Sequence, residues 1–222
     1  MIDASHVPAE DQPLTAHVAG RIRDMLISGE LSPGAKLSEQ HMAAHFSISR
    51  NTLREVFRLL TSQNLLTYIP NRGVFVATPG EASVVDIYRV RRVIQKGAVQ
   101  AASPTHPALS RMKDQLARTG AAQANGDWLK VGTINMEFHR SMVDLCDSPR
   151  LNAGFELVLA ELRLVFAQFD DTAHLHEPYI ALNKALLASL ERGDTDTATK
   201  QLDDYLLRSE RSVLAALQRA RS

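Results

Sequence analysis

The chain has 222 residues, enough for one large domain or two small ones. Hydrophobic residues make up 45% of it and aromatics 5%, with Leu and Ala abundant, so a core is available and helices are favoured over sheets. The formal charge is zero, which excludes a global basic field, and the lone Cys146 excludes an internal disulfide framework. No apolar run approaches the ~20 residues that span a bilayer. The opening MIDASHVPAEDQP is polar and acidic, unlike a secretory signal, so a soluble cytoplasmic protein without membrane contact is expected.

In chain order, residues 1–13 hold two prolines and no apolar period and read as a flexible arm. From Leu14 to Ile27, Val18, Ile22, Met25 and Leu26 recur at helical spacing, and Gly29 ends the helix. GELSPGAKL then reads as a compact turn. Ser38 caps a second helix, whose buried face is Met42, Ala43 and Phe46. After the turn Ser47-Ile48-Ser49 comes a third helix, RNTLREVFRLL. It puts Arg50, Arg54 and Arg58 on one side and Leu53, Val56, Phe57 and Leu60 on the other. Two short helices joined by a tight turn, the second basic on one face, is a helix-turn-helix arrangement. LLTYI, the turn Pro70-Asn71-Arg72-Gly73 and VFVAT follow as strand, turn and strand, a two-stranded wing with a basic tip. Between Leu14 and Pro79 seven Lys and Arg face four acids, so this stretch is locally basic in a neutral chain.

These residues carry a resemblance. ISGELSPGAKLSE (Ile27 to Glu39), SRNTLREVFRLL (Ser49 to Leu60) and RGVFV (Arg72 to Val76) resemble the GntR family of bacterial transcription regulators. The resemblance covers most of residues 14–78 and implies a winged helix-turn-helix that binds operator DNA as a homodimer, with the third helix in the major groove and the wing in the minor groove. Carried onto matching positions, the implied contacts are Arg50, Asn51, Thr52 and Arg54, with Ser49, Arg58, Arg72 and Gly73 as a second tier. Gln40 stands where relatives often carry a basic residue.

No strand pattern appears from Pro79 to Ser222. Helices are expected over Gly80–Ala102, Pro104–Asn125, Asp127–Cys146 and Leu151–Phe169. The stretch His174 to Pro178 reads as a loop with Pro178 in the first turn of the next helix, and the last helix runs from Thr195 to Arg219. The expected fold class is mainly α, a winged helix-turn-helix over 14–78 followed by an antiparallel six-helix bundle over 79–222. IYRVRRVIQKGAVQAA, EFHRSMVDLCDSPRL and LLASLERGDTDTA look like the FCD effector domain of the FadR-type branch, six helices being closer to its VanR-like subgroup.

Many FCD domains hold a divalent metal through an Asp and three His. At the matching positions this chain has Asn135, His139, Asn183 and Tyr205, so His139 is the only retained ligand and no metal or other cofactor is expected. His174 and His176 are possible rescuers, expected at the surface. Asn183 and Tyr205 fall on apolar stripes, Asn135 sits beside Ile134 and Phe138, and Arg91 stands three after Tyr88 and four before Gln95; polar groups pointing into a bundle must find partners, either each other or a ligand. The expected ligand is a small organic acid anchored by Arg91, with Asn135, His139, Asn183 and Tyr205 giving neutral hydrogen bonds; Arg163 and Arg208 are alternative anchors. The whole is read as an effector-responsive repressor. A metal-dependent regulator or an activator stays open, as do two more distant classes: a helical enzyme using His139 with Glu137 or Asp144, and a protein-interaction module.

Overall fold

The computed structural model describes residues 14–169 and 173–221; the proposed arm, 1–13, lies outside them. It is mainly helical. α1 (Leu14–Ser28), α2 (Glu39–His45) and α3 (Arg50–Ser62) are followed by strands β2 (Leu66–Ile69) and β3 (Gly73–Val76). Six further α-helices follow: α4 (Glu81–Gln100), α5 (Pro107–Ala124), α6 (Trp128–Val143), α7 (Pro149–Phe166), α8 (Ala173–Glu191) and α9 (Thr195–Arg221), with a 3-10 turn at Asp144–Cys146. Several helices start on a side chain legible in the sequence. Ser38, Ser49, Asp127 and Ser148 each accept a hydrogen bond from the backbone N–H three residues on.

Two expectations are corrected. The turn GELSPGAKL contains a strand, β1 (Lys36–Leu37), which pairs antiparallel with β3, Lys36 opposite Phe75 and Leu37 opposite Val74. The wing is therefore the edge of a three-stranded sheet of order β1-β3-β2, not a free hairpin. Two residues are too few to show a period of two, so no local pattern announced the strand. The second correction is at His174 to Pro178, which is helical from Ala173 onward. Pro178 lies inside α8, beyond its first turn, and His176 is buried instead of exposed. Proline removes one helical hydrogen bond and crowds the carbonyl four residues back. Here both Pro178 and His174, the residue four back, sit on the exposed side, while Leu175, Tyr179, Leu186 and Leu190 bury the other face.

The wing turn follows from its residues. Arg72 N–H donates to the Ile69 carbonyl at 3.0 Å across Pro70-Asn71, and Asn71 has φ 60°. Proline at the second position and a residue of positive φ at the third is the arrangement of a type II turn. Gly73 then has φ 103°, which strains any residue with a β-carbon, so glycine is required where β3 begins.

The α3 apolar stripe (Leu53, Val56, Phe57, Leu60) packs with Val18, Ile22 and Leu26 of α1 and with Leu66 and Val76 of the sheet. That core has two members from far along the chain, Ala160 and Leu164 of α7, both fully buried. One turn further, Gln168 Nε2 donates to the Pro79 carbonyl at 3.1 Å, holding the segment that leads into α4. The opposite side of α7, with Phe155, Leu159, Leu162 and Phe166, belongs to the bundle core. Leu164→Ala should lower unfolding free energy by ~2–5 kcal/mol, the usual cost of emptying a buried leucine site. Urea denaturation checks this, with the loss expected in the unfolding of the α1–α3 segment as well as of the bundle.

Candidate functional site

Two places gather polar chemistry. The first is the outer face of α3. Ser49 Oγ accepts from Thr52 N–H at 3.0 Å and shares a hydrogen bond with Thr52 Oγ1 at 2.8 Å, so the first turn is locked by its own side chains. Ser47, with φ 54°, turns the chain between α2 and α3. Beyond the cap, Arg50, Asn51, Arg54 and Arg58 are all exposed, and Thr52 is half-buried. Arg50 pairs with no acid among the described residues. Arg54 Nε donates to Glu39 Oε2 of α2 at 3.0 Å, and Arg58 Nη1 donates to Glu55 Oε1 at 2.6 Å. Arg72 lies on the same wing as Phe75, its guanidinium carbon 5.6 Å from the ring centre, and Lys36 approaches that ring too. Between α3 and the wing strands runs an open groove of about 720 Å³ with an apolar floor of Phe57 and Val74 and a rim of Arg54, Arg58 and the exposed Tyr68.

The second place is the interior of the bundle. Arg91, His139, Asn183 and Tyr205 are all buried, Asn135 is half-buried, and the structure joins them through one residue absent from the expected set, Gln95. Arg91 Nε donates to Gln95 Oε1 at 3.3 Å. The Gln95 amide lies 2.7 Å from His139 Nδ1, and His139 Nε2 lies 2.9 Å from the Tyr205 hydroxyl. The amide nitrogen is donor only, so Nδ1 accepts and the proton of neutral His139 sits on Nε2, donating to Tyr205. Tyr205 OH in turn donates to Asn135 Oδ1 at 3.3 Å, to which Asn183 Nδ2 also donates at 2.7 Å. Gln95 stands four residues after Arg91, so its signal was helical spacing from the anchor.

The expected four-helix convergence is thus found as a hydrogen-bonded relay, with two ends left over. Asn183 Oδ1 is buried without a partner. Arg91, 2% exposed, has Gln95 and the face of Tyr88 (4.8 Å from guanidinium carbon to ring centre) but no carboxylate among the described residues. Of the alternative anchors, Arg208 is exposed. Arg163 is buried outside the relay with its Nε unpartnered, its Nη2 placed 3.5 Å from where a β-carbon on Gly29 would stand, just past the end of α1. Neither Glu137 nor Asp144 faces His139 for acid–base work: Glu137 pairs with Arg118, and Asp144 with Arg111 and Asn152.

Comparison with known proteins settles the family. Residues 14–76 match the model of bacterial regulatory proteins of the gntR family, and residues 86–208 match that of the FCD domain. The chain belongs to the GntR family. It is a transcriptional regulator with a GntR DNA-binding domain and an FCD effector-binding domain, and not an enzyme. Similar proteins include the Nta operon transcriptional regulator of Aminobacter aminovorans, 30% identical over 152 residues that cover 66% of this chain and 70% of that one. An HTH-type transcriptional regulator of Streptomyces ambofaciens is 27% identical over 91% of this chain and 84% of its own. Among solved structures, a GntR transcriptional regulator from Rhodococcus sp. RHA1 superposes with a TM-score of 0.83 at 37% identity, covering 91% of this chain and 98% of that one. No described helix is long and apolar enough to cross a membrane.

The regulator carries a pH signature. Burial, reinforced by the Arg91 charge, holds the His139 imidazole well below its ordinary value; burial, with Arg163 and His174 nearby, lowers His176 to about 4. In the unfolded chain both take up protons near pH 6.5, whereas in the folded chain they stay neutral, so acid favours unfolding. Stability from these groups is full above about pH 6.5 and falls below it, by up to about 1.4 kcal/mol per pH unit for each histidine. Urea midpoints at pH 7.5, 6 and 5 should therefore decline in that order, most steeply in the last interval.

Proposed function

We propose that this regulator acts as a homodimer on a short inverted repeat, each protomer placing α3 in a major groove and the β2–β3 turn in the adjacent minor groove. In this reading residues 14–78 form the DNA-reading unit and 79–222 the effector-binding and dimerisation unit. Arg50, Asn51, Thr52 and Arg54 meet base edges and nearby phosphates. Ser49, Arg58, Arg72 and Gly73 fix register along the backbone. Support comes from the exposed cationic face of a helix that is rigidly capped and packed, flanked by a wing whose tip carries Arg72. Regulation is by repression, since a dimer seated on a promoter excludes polymerase by occupancy alone.

The effector is a small carboxylate. The observation that carries this is Arg91, a fully buried guanidinium that pairs with no carboxylate among the described residues, at the head of a relay of neutral donors and acceptors. A buried cation without a counter-charge is costly, and an anionic group supplies the missing partner. His139, Tyr205, Asn135 and Asn183 then exchange internal hydrogen bonds for bonds to the ligand's neutral part. The donor set does not fit a divalent metal. His139 already spends its Nδ1 lone pair on Gln95 and carries a proton on Nε2, Tyr205 is held far above its ordinary pKa by burial, and the two Asn offer only amide oxygens. Among the described residues, the six α-helices after the wing support a VanR-like placement.

Two measurements test this reading. Arg54→Ala should weaken binding to a selected operator by ~1–3 kcal/mol and relax its sequence preference, in fluorescence anisotropy at fixed salt. A thermal-shift screen of small mono- and dicarboxylic acids should find stabilising ligands that alter operator affinity. Arg91→Ala should lose at least about tenfold in affinity for those acids, the equivalent of removing one buried charge-assisted bond; an undiminished response would take Arg91 out of the site.

A further inference from the structure

On the α3 face the three arginines are treated differently. Arg50 is unpaired among the described residues. Arg58 gives an Nη nitrogen to Glu55 one turn earlier on its own helix, at 2.6 Å, so its outer fork is partly occupied. Arg54 instead gives its Nε, the nitrogen nearest the chain, to Glu39 Oε2 at 3.0 Å, and Glu39 belongs to the preceding helix. Its two Nη groups are engaged by no described residue. That pattern leaves the outer edge of the guanidinium, the edge whose paired donors match guanine O6 and N7, without a partner among the described residues on an exposed side chain.

The pair is not placed for stability. Arg54 and Glu39 side chains are 55% and 37% exposed, and ion pairs so open to water contribute little. A carboxylate on a DNA-facing surface also repels phosphate, so on charge alone it opposes binding. What it supplies is orientation. A free arginine side chain has several rotatable bonds to order on binding, whereas one tied at Nε to a neighbouring helix has its plane already set. Glu39 is well fixed for this, being the first residue of α2, behind the Ser38 cap and before the buried Met42 and Ala43.

Taking Arg54 as a base reader, as proposed above, we infer that Glu39 is a positioning residue: it holds Arg54 through Nε and presents the Nη fork to a guanine in the major groove. Glu39 thereby sets sequence preference without touching a base.

The test uses the full chain and two duplexes of equal length, one selected from a randomised library by the wild-type protein and one of mixed sequence. Affinities are measured at one salt concentration for wild type, Glu39→Gln, Glu39→Asp, Arg54→Ala and Glu39→Gln with Arg54→Ala. Glu39→Asp keeps the acidic first turn of α2 but withdraws the carboxylate by one methylene, separating helix electrostatics from reach. Both Glu39 variants should lose about 5- to 20-fold on the selected duplex, part of the discrimination one bidentate pair supplies. Glu39→Gln should hold or gain affinity on the mixed duplex, and its loss on the selected one should vanish in the Arg54→Ala background. Equal or tighter binding of Glu39→Gln to both duplexes overturns the inference, as does a loss that persists without Arg54. If Arg54→Ala costs affinity while Glu39→Gln does not, positioning alone fails. If Arg54→Ala leaves the selected duplex unaffected, the base-reading role fails first and the inference falls with it.

Discussion

The two halves of this regulator share one helix. α7 presents Phe155, Leu159, Leu162 and Phe166 to the bundle and, at spacings of four, Ala160, Leu164 and Gln168 to the winged helix and its connecting segment. Close packing leaves such a helix no freedom to move relative to one core without disturbing the other. The Ala77 N–H bond to the Leu65 carbonyl and the Gln168 bond to Pro79 pin the connection at both ends. Arg163 adds a cation beside the end of α1, whose own last turn has no basic residue, and a positive charge there meets the negative end of the helix dipole. Any ligand-driven repacking of α7 is thereby transmitted to α1 and the core beneath α3, to the extent that the ligand binds the two arrangements with different affinity.

The outer face of α3 is built on restraint. Its arginines project from a helix whose apolar face is wholly buried and whose first turn is closed by Ser49 and Thr52. Two of the three meet glutamates, so the free face is less positive than its arginine count implies. In the proposed DNA-bound state, contacts to phosphate would arise partly by exchange of partners, which lowers non-specific attraction relative to a bare cationic stripe.

Much of this was legible in the chain. The amphipathic period of α3, the Ser38 cap and the Pro70–Gly73 turn each have a local cause within a few residues, and all were found where the pattern put them. Part of the buried polar cluster was legible too, because Asn183 and Tyr205 each interrupt an apolar period. What escaped depends on pairing at a distance. β1 exists only because β3 lies beside it, the outward face of α7 is apolar only because another core needs it, and Glu39 meets Arg54 across fifteen positions. His176 was hidden by Pro178: a proline ordinarily marks a helix start, and only packing against Phe166 and the bare backbone of Gly132 explains why a helix carries that histidine inward.

With Arg91 as the proposed anchor, the bundle interior would separate two properties that ligand sites often combine. Charge neutralisation at a buried guanidinium rewards any carboxylate small enough to reach it, almost regardless of what the rest of the molecule looks like. Discrimination between one acid and another would then fall to Asn135, Asn183 and Tyr205, uncharged groups on three different helices that alter shape and hydrogen-bond pattern when exchanged. A lineage could therefore drift from one metabolite to another through neutral substitutions, keeping its grip throughout and changing only its taste.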